Sequence, residues 1–212
     1  KLYRDNIAFV TKIKKENKSV EYINHTYQNF LDDINSFGTA LYALGLKGKR
    51  VAIVGRNRYE WAVAHISNLF GGIVSVPIDK ELHNSDVINF LNVSEASCIL
   101  ADEKYISSLL QEKSKINHNI TFINFNSEKT TDEFISFSNL IEEGDKLVEE
   151  GNKSFDNIKS NPDEMHILLF TSGTTGNAKG VCLSHKNICS NIQSVFGIVK
   201  VKSTDQVLSI LP

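Results

Sequence analysis

The hydrophobic pattern of this sequence changes period again and again, and that alternation leaves few folds open. Thr26 can cap a helix whose apolar residues Phe30, Leu31, Ile34, Phe37, Leu41 and Leu44 recur at period 3.6, with Gly45 as its stop. Arg50–Gly55 (RVAIVG) is then a short apolar run of the buried-strand type. Tyr59–Phe70 returns to helical spacing, with Ala62, Ile66, Leu69 and Phe70 expected inward. Ile73–Ile78 is a second strand, Ser85–Ser94 a short helix, and Cys98–Ala101 a third strand. Tyr105 to about Lys113 is a helix, and Thr121–Phe125 a fourth strand. Parallel strands need helical crossovers of this kind, so the pattern predicts an α/β fold: a doubly wound, largely parallel sheet flanked by helices.

The second half is less regular. Residues 126–163 are polar and read as a connector partly wrapping the sheet, with an acidic helix over Asn139–Glu150. Strand character resumes at Met165–Thr171. A further helix carries Ile188, Ile192, Val195, Phe196 and Val199, and Val207–Leu211 reads as a last strand. Near the start, Lys12, Lys14, Lys15 and Lys18 sit on what reads as a solvated hairpin, a cluster able to touch anionic lipid.

Composition excludes several classes. With 23 Lys and Arg against 25 Asp and Glu, there is no basic excess for nucleic acid and no acidic disordered tail. Cys98, Cys182 and Cys189 form no C-x-x-C pair, so they are expected to be buried thiols in a reducing cytoplasm, without disulfide or zinc. The stretch from Ala62 to Ile78 is interrupted by His65, Ser67, Asn68 and Ser75, which makes it too short and too polar for a membrane span, and no signal-peptide pattern opens the sequence.

The informative segment is Thr171–Gly180, T-S-G-T-T-G-N-A-K-G. Its ten residues hold three Gly, three Thr, one Ser and one Lys directly after a strand. Glycines let backbone N–H groups approach an anion, hydroxyls add donors, and Lys179 adds a mobile positive charge, which together are what a polyphosphate needs. The segment is not a Walker A loop. Counted from Gly173, Ala178 stands at the second glycine and Gly180 follows the lysine, while Val181-Cys182-Leu183 alternates like a strand. The loop is therefore expected to join two strands as a hairpin. No G-x-G-x-x-G is present, which disfavours NAD. By composition alone, a ligand-free Gly/Thr-rich surface turn is the competing reading.

The string itself closely resembles the phosphate loop of the adenylate-forming (AMP-binding) superfamily, whose members include acyl-CoA synthetases, amino-acid adenylation domains and luciferases. Other segments are similar in order and spacing: His25-Thr26-Tyr27-Gln28, the strand entry Gly48–Ile53, Gly72–Asp79, and Leu183–Asn187. Gly55–Trp61 resembles the E-N-R-Y-E-W element of the long-chain fatty acyl-CoA synthetase subgroup, except that Arg56 stands where that subgroup usually has Glu. Ala178 stands where Pro is common in the superfamily and Ala is frequent in the long-chain subgroup.

The resemblance implies an enzyme that joins a carboxylate, here a fatty acid, to ATP as an acyl-adenylate with loss of pyrophosphate, and then forms a thioester with CoA. Mg2+ accompanies the ATP. It implies that Thr171, Ser172, Gly173, Thr174, Thr175, Gly176 and Lys179 grip the β- and γ-phosphates. Residues 1–212 would be the N-terminal part of an adenylation domain, in the acyl-CoA synthetase-like fold. The rest of that domain and a mobile C-terminal domain would lie outside them, along with the acyl pocket, the acidic Mg2+ ligand and a catalytic lysine. The piece alone is then expected to be inactive, with ATP affinity near millimolar or weaker. No catalytic residue and no metal ligand is assigned within it. The implied setting is cytoplasmic, with peripheral membrane contact open. A non-catalytic nucleotide-binding module, or an adenylating enzyme for an aryl or amino acid, is the alternative.

The remaining candidates are weaker. His25, His65, His83, His118 and His166 show no metal-like spacing and are expected to be surface or packed residues. His185 is expected on the strand after the loop, in a structural role, with a role near the loop as the alternative. Asp32-Asp33, Glu142-Glu143 and Glu149-Glu150 read as solvated helix faces, and Trp61 as a packing residue.

Overall fold

A computed structural model describes residues 3–15, 18–171 and 179–209. The chain opens with an antiparallel hairpin, β1 (Ile7–Lys14) and β2 (Val20–Thr26), as its lysine-bearing sequence suggested. Thr26 then caps α1 (Tyr27–Ala43): its side chain accepts the Asn29 N–H, and the Asn29 side chain accepts the Thr26 N–H. This reciprocal pair satisfies donors that the first helical turn leaves free. Gly45 ends the helix at φ +74°, a conformation that costs glycine little.

The elements β3 (Arg50–Val54), α2 (Tyr59–Phe70), β4 (Val74–Ile78), α3 (Asn84–Ser94), β5 (Cys98–Ala101), α4 (Glu103–Gln111) and β6 (Thr121–Asn124) follow with short connections. A two-residue strand β7 (Ile135–Ser136) leads into α5 (Phe137–Glu149), and the chain continues through β8 (Met165–Thr171), β9 (Lys179–Ser184) and α6 (His185–Ile198). The main sheet runs β7-β6-β5-β3-β4-β8-β9. It is parallel throughout, apart from β9, which lies antiparallel to β8.

Both faces are covered over β3 to β6, which is why those strands read as unbroken apolar runs, while β9 is largely exposed. Val51, Ile53, Cys98, Leu100 and Ile123 share one core with residues of α1, α2 and α5. Their alternating neighbours Ala52, Val54, Val76, Ile99 and Ala101 share the other with α3 and α4. α1 and α5 meet at a close approach: Ser36 Oγ donates to Asp145 at 2.5 Å, and Gly144 faces the Ser36 carbonyl.

Four expectations need correction. α2 buries Val63, Ala64, Ser67 and Asn68 along with Leu69, while Phe70 is exposed. An apolar period passes over a serine that packs by hydrogen bonding, as Ser67 does by donating to the Ile34 carbonyl. β7 is too short to leave a sequence pattern. Residues 207–209 of the expected last strand lie in no strand, and 210–211 fall outside the described residues. Among the cysteines only Cys98 is buried; Cys182 and Cys189 are exposed on β9 and α6.

Candidate active site

In a parallel sheet the carboxyl ends of all strands lie along one edge, and ligands bind where neighbouring connections diverge. This sheet has two such places. The chain leaves β4 for β5 on one side, while β8, next to β4, turns the other way into β9. It also leaves β3 through α2 towards β4 and β5 through α4 towards β6.

The Gly/Thr-rich segment springs from the first of these. Thr171 and Lys179 are opposite partners in the β8–β9 ladder, which puts their side chains on one face of the hairpin. Both are exposed. Thr171 thus ends one strand and Lys179 begins its antiparallel partner, as the failed Walker A match implied. Ser172, Gly173, Thr174, Thr175 and Gly176 lie outside the described residues. The hairpin stem is fixed by packing: Phe170 stacks on Phe90 of α3, with ring centroids 4.3 Å apart. Gly180 permits a close approach, since a Cβ there would stand 3.0 Å from Leu168.

The second divergence holds a charged cluster. Asp102 follows β5 at the position that would cap α4, yet its carboxylate makes no cap bond. It turns instead to the loop after β3, accepting the Arg56 backbone N–H at 2.8 Å and the Arg58 Nη1 at 3.0 Å. Gly55 leaves room for it: a Cβ there would lie 3.2 Å from a carboxylate oxygen. Arg58 also donates to Glu60 at 2.7 Å and to the Phe125 carbonyl at 3.2 Å. Burial opposes the Arg58 charge, but Glu60 and Asp102 outweigh it and hold the guanidinium above its ordinary pKa. Burial likewise works against the Glu60 charge, and Arg58 overrides it, lowering the carboxyl pKa. Sequence reasoning singled out Arg56 but missed Arg58 and Asp102. An acidic residue at a helix start reads as an ordinary cap, and its partners lie far away along the chain.

His185 is the first residue of α6, one step beyond the strand expected for it. Its ring stacks on the buried His166 of β8 at 3.5 Å. The Ser160 hydroxyl lies 2.5 Å from His166 Nε2, and the Glu164 carbonyl lies 2.8 Å from His166 Nδ1. Burial and the neighbouring His166 lower the His185 pKa. The pair ties the start of α6 to β8 just behind the hairpin. His25 stacks on Tyr59 at 3.7 Å, and Trp61 on His65 at 4.9 Å, both as packing residues. Among the described residues no group of His, Cys, Asp or Glu could hold a metal ion. Also among them, no helix is long and apolar enough to cross a membrane.

Comparison with known proteins assigns the family. The model of the AMP-binding enzyme family matches residues 2–212, and the chain belongs to that family. It is 29% identical to fatty acyl-CoA synthetase A of Dictyostelium discoideum, over 98% of this chain and 32% of that protein. It is 28% identical to long chain acyl-CoA synthetase 4 of Arabidopsis thaliana, over 87% of this chain and 28% of that protein. The chain therefore spans about a third of the length of these relatives. Among solved structures, a putative long-chain-fatty-acid CoA ligase from Rhodopseudomonas palustris superposes with a TM-score of 0.76 at 17% identity, over 90% of this chain and 45% of that one. An anthranilate CoA ligase in complex with anthranoyl-AMP superposes with a TM-score of 0.71 at 19% identity, over 81% of this chain and 32% of that one. These two likenesses speak to the fold alone.

Proposed function

We propose that the protein containing this chain is an ATP-dependent acid–thiol ligase that activates a long-chain fatty acid and transfers it to CoA. The observation that supports this reading is the pairing of Thr171 with Lys179 at the carboxyl end of β8, the two described ends of the Gly/Thr-rich string. In the first step a carboxylate oxygen attacks the α-phosphorus of ATP, and pyrophosphate leaves with the electron pair of the broken P–O bond. In the second, the CoA sulfur attacks the acyl carbon and AMP leaves.

Thr171, Ser172, Gly173, Thr174, Thr175, Gly176 and Lys179 are assigned to the β- and γ-phosphates and to the departing pyrophosphate. Preorganised donors and a lysine stabilise the charge that gathers there as the bond breaks. Mg2+ is proposed to accompany the ATP, with no ligand assigned to it among residues 1–212. The names of the Dictyostelium and Arabidopsis relatives support the fatty-acid assignment. Residues 1–212 alone are proposed to be inactive and to hold ATP at about millimolar affinity or weaker, equivalent to about 4 kcal/mol. A cytoplasmic setting goes with ATP and CoA as substrates.

The test is carboxylate-dependent exchange of pyrophosphate into ATP by the full-length protein, across fatty, aryl and amino acids. Exchange supported by fatty acids is the expected result. Exchange supported only by aryl or amino acids would reassign the substrate, and its absence with every carboxylate would leave the nucleotide-binding module.

A further inference from the structure

Two imidazoles are held face to face at the base of the β8–β9 ladder, at the opposite end from Thr171 and Lys179. The ladder pairs Met165 with Ser184 and Ile167 with Leu183, so His166 is the extra residue of a β-bulge, a device that re-aims a side chain. Its ring meets that of His185 at 3.5 Å between centroids, and only 3% of His166 remains exposed. The proposed adenylation chemistry uses neither histidine.

Their hydrogen-bond partners assign the protons. The Glu164 carbonyl, 2.8 Å from His166 Nδ1, can only accept, so Nδ1 carries the hydrogen of the neutral ring. His166 Nε2 then presents a lone pair to the Ser160 hydroxyl at 2.5 Å, and the hydroxyl donates its single proton there. The same oxygen lies 3.5 Å from His185 Nδ1, so one added proton on His185 meets its lone pairs. A second proton would have to take the Nε2 lone pair that the hydroxyl already uses, and would set two cations face to face in a buried site. His185 is also the first residue of α6, where the helix dipole opposes positive charge. Burial and His166 lower the His185 pKa, against a hydrogen bond to the Leu69 backbone.

Among the described residues, the charged groups around the pair do not compensate two protons. In the connector, Asp163 accepts Lys186 Nζ at 3.2 Å and Glu164 accepts Asn161 at 3.2 Å. Asp156 lines the cavity beside Ser160 and His185 and can offset one proton. α1 and α2 bring uncharged residues to that cavity, Asn35 and Phe70 among them.

We propose that the His166–His185 stack is a pH-sensitive clasp: while it holds no more than one proton it fastens the start of α6 and residues 155–164 to the base of the β8–β9 hairpin, and it opens as both rings are protonated. The Lys186 N–H, bonded to the Pro162 carbonyl at 3.0 Å, belongs to the same junction. Separated and solvated, the two rings bind two protons below about pH 6.5, so opening takes up at least one proton and acid favours it. Any effect on nucleotide binding rests on the proposed function; the clasp itself does not.

The test is amide hydrogen exchange of the full-length protein between about pH 5 and 8, corrected for the intrinsic pH dependence of exchange. Peptides covering residues 155–164 and 183–190 should lose protection by about tenfold per pH unit below about pH 6.5. His185→Gln should remove most of that slope and leave the pH response of β3 and β5 peptides as in the parent. Ser160→Ala keeps both rings and should retain the slope. Protection independent of pH in the parent, a slope intact in His185→Gln, or its loss in Ser160→Ala would overturn the proposal.

Discussion

The carboxylate of Asp102 reaches across the β3–β5 divergence to Arg58, Oδ1 to Nη1 at 3.0 Å, and makes no cap bond to its own helix. Asp102 is almost fully buried and Arg58 mostly so, which makes the pair sensitive to the loss of one partner. Asp102→Ala leaves Arg58 its Glu60 partner but removes a charge-assisted bond and the acceptor of the Arg56 N–H, at a cost of about 1–3 kcal/mol in urea titration. Arg58→Met leaves both Asp102 and Glu60 without their counter-charge and should cost more, about 3–5 kcal/mol. Equal loss in the two variants would show that Arg58 is not the shared partner that holds the loop.

Gly144 tests the α1–α5 contact. A Cβ at this position would stand 1.9 Å from the Ser36 carbonyl oxygen, a backbone atom that cannot rotate away. Gly144→Ala should destabilise by about 1–3 kcal/mol or more through overpacking. Gly197 in α6 is the control, since nothing lies within 4 Å of its Cβ direction. There the same change should be neutral or stabilise by up to about 1 kcal/mol, because alanine favours a helix. A melting-temperature comparison of the two variants distinguishes them.

His65 makes stability depend on pH. Burial pushes its pKa down from 6.5 to about 4, and its Nδ1 lies 2.8 Å from the Ser75 hydroxyl. Between those values the unfolded chain binds a proton that the folded state excludes. Stability conferred by the neutral ring is therefore complete above pH 6.5 and is lost as pH falls towards about 4. The loss should reach about 2–3 kcal/mol. His65→Gln should flatten the slope in this window, as read from urea midpoints at successive pH values. An unchanged slope would remove His65 as its source.

Much of the fold was legible because its covered sheet is unusually plain in sequence. Cys98–Ala101 and Met165–Thr171 are strands with the ends read from their apolar runs, and Tyr59–Phe70 is a helix with both ends in place. The inward face of that helix was harder to read, because Ser67 and Asn68 are buried without being apolar. The two-residue β7 is fixed by pairing with β6, a contact that no local pattern encodes. The Gly/Thr-rich string proposed to hold phosphate could be read because its residues are contiguous. The Asp102 cluster could not, since Asp102 lies 46 residues from Arg56 and only the β3–β5 pairing brings them together.

Lys179 bears most directly on the proposed chemistry. It stands at the start of β9, opposite Thr171, and is exposed. The decisive measurement is fatty-acid-dependent pyrophosphate exchange by the full-length protein and its Lys179→Ala variant, with CoA thioester formation followed in parallel. The account predicts exchange and thioester formation in the parent, with both slowed about 100- to 1000-fold in the variant, as expected for loss of a preorganised stabiliser of developing charge. Exchange at the parental rate in Lys179→Ala, or no carboxylate-dependent exchange in the parent, would contradict it.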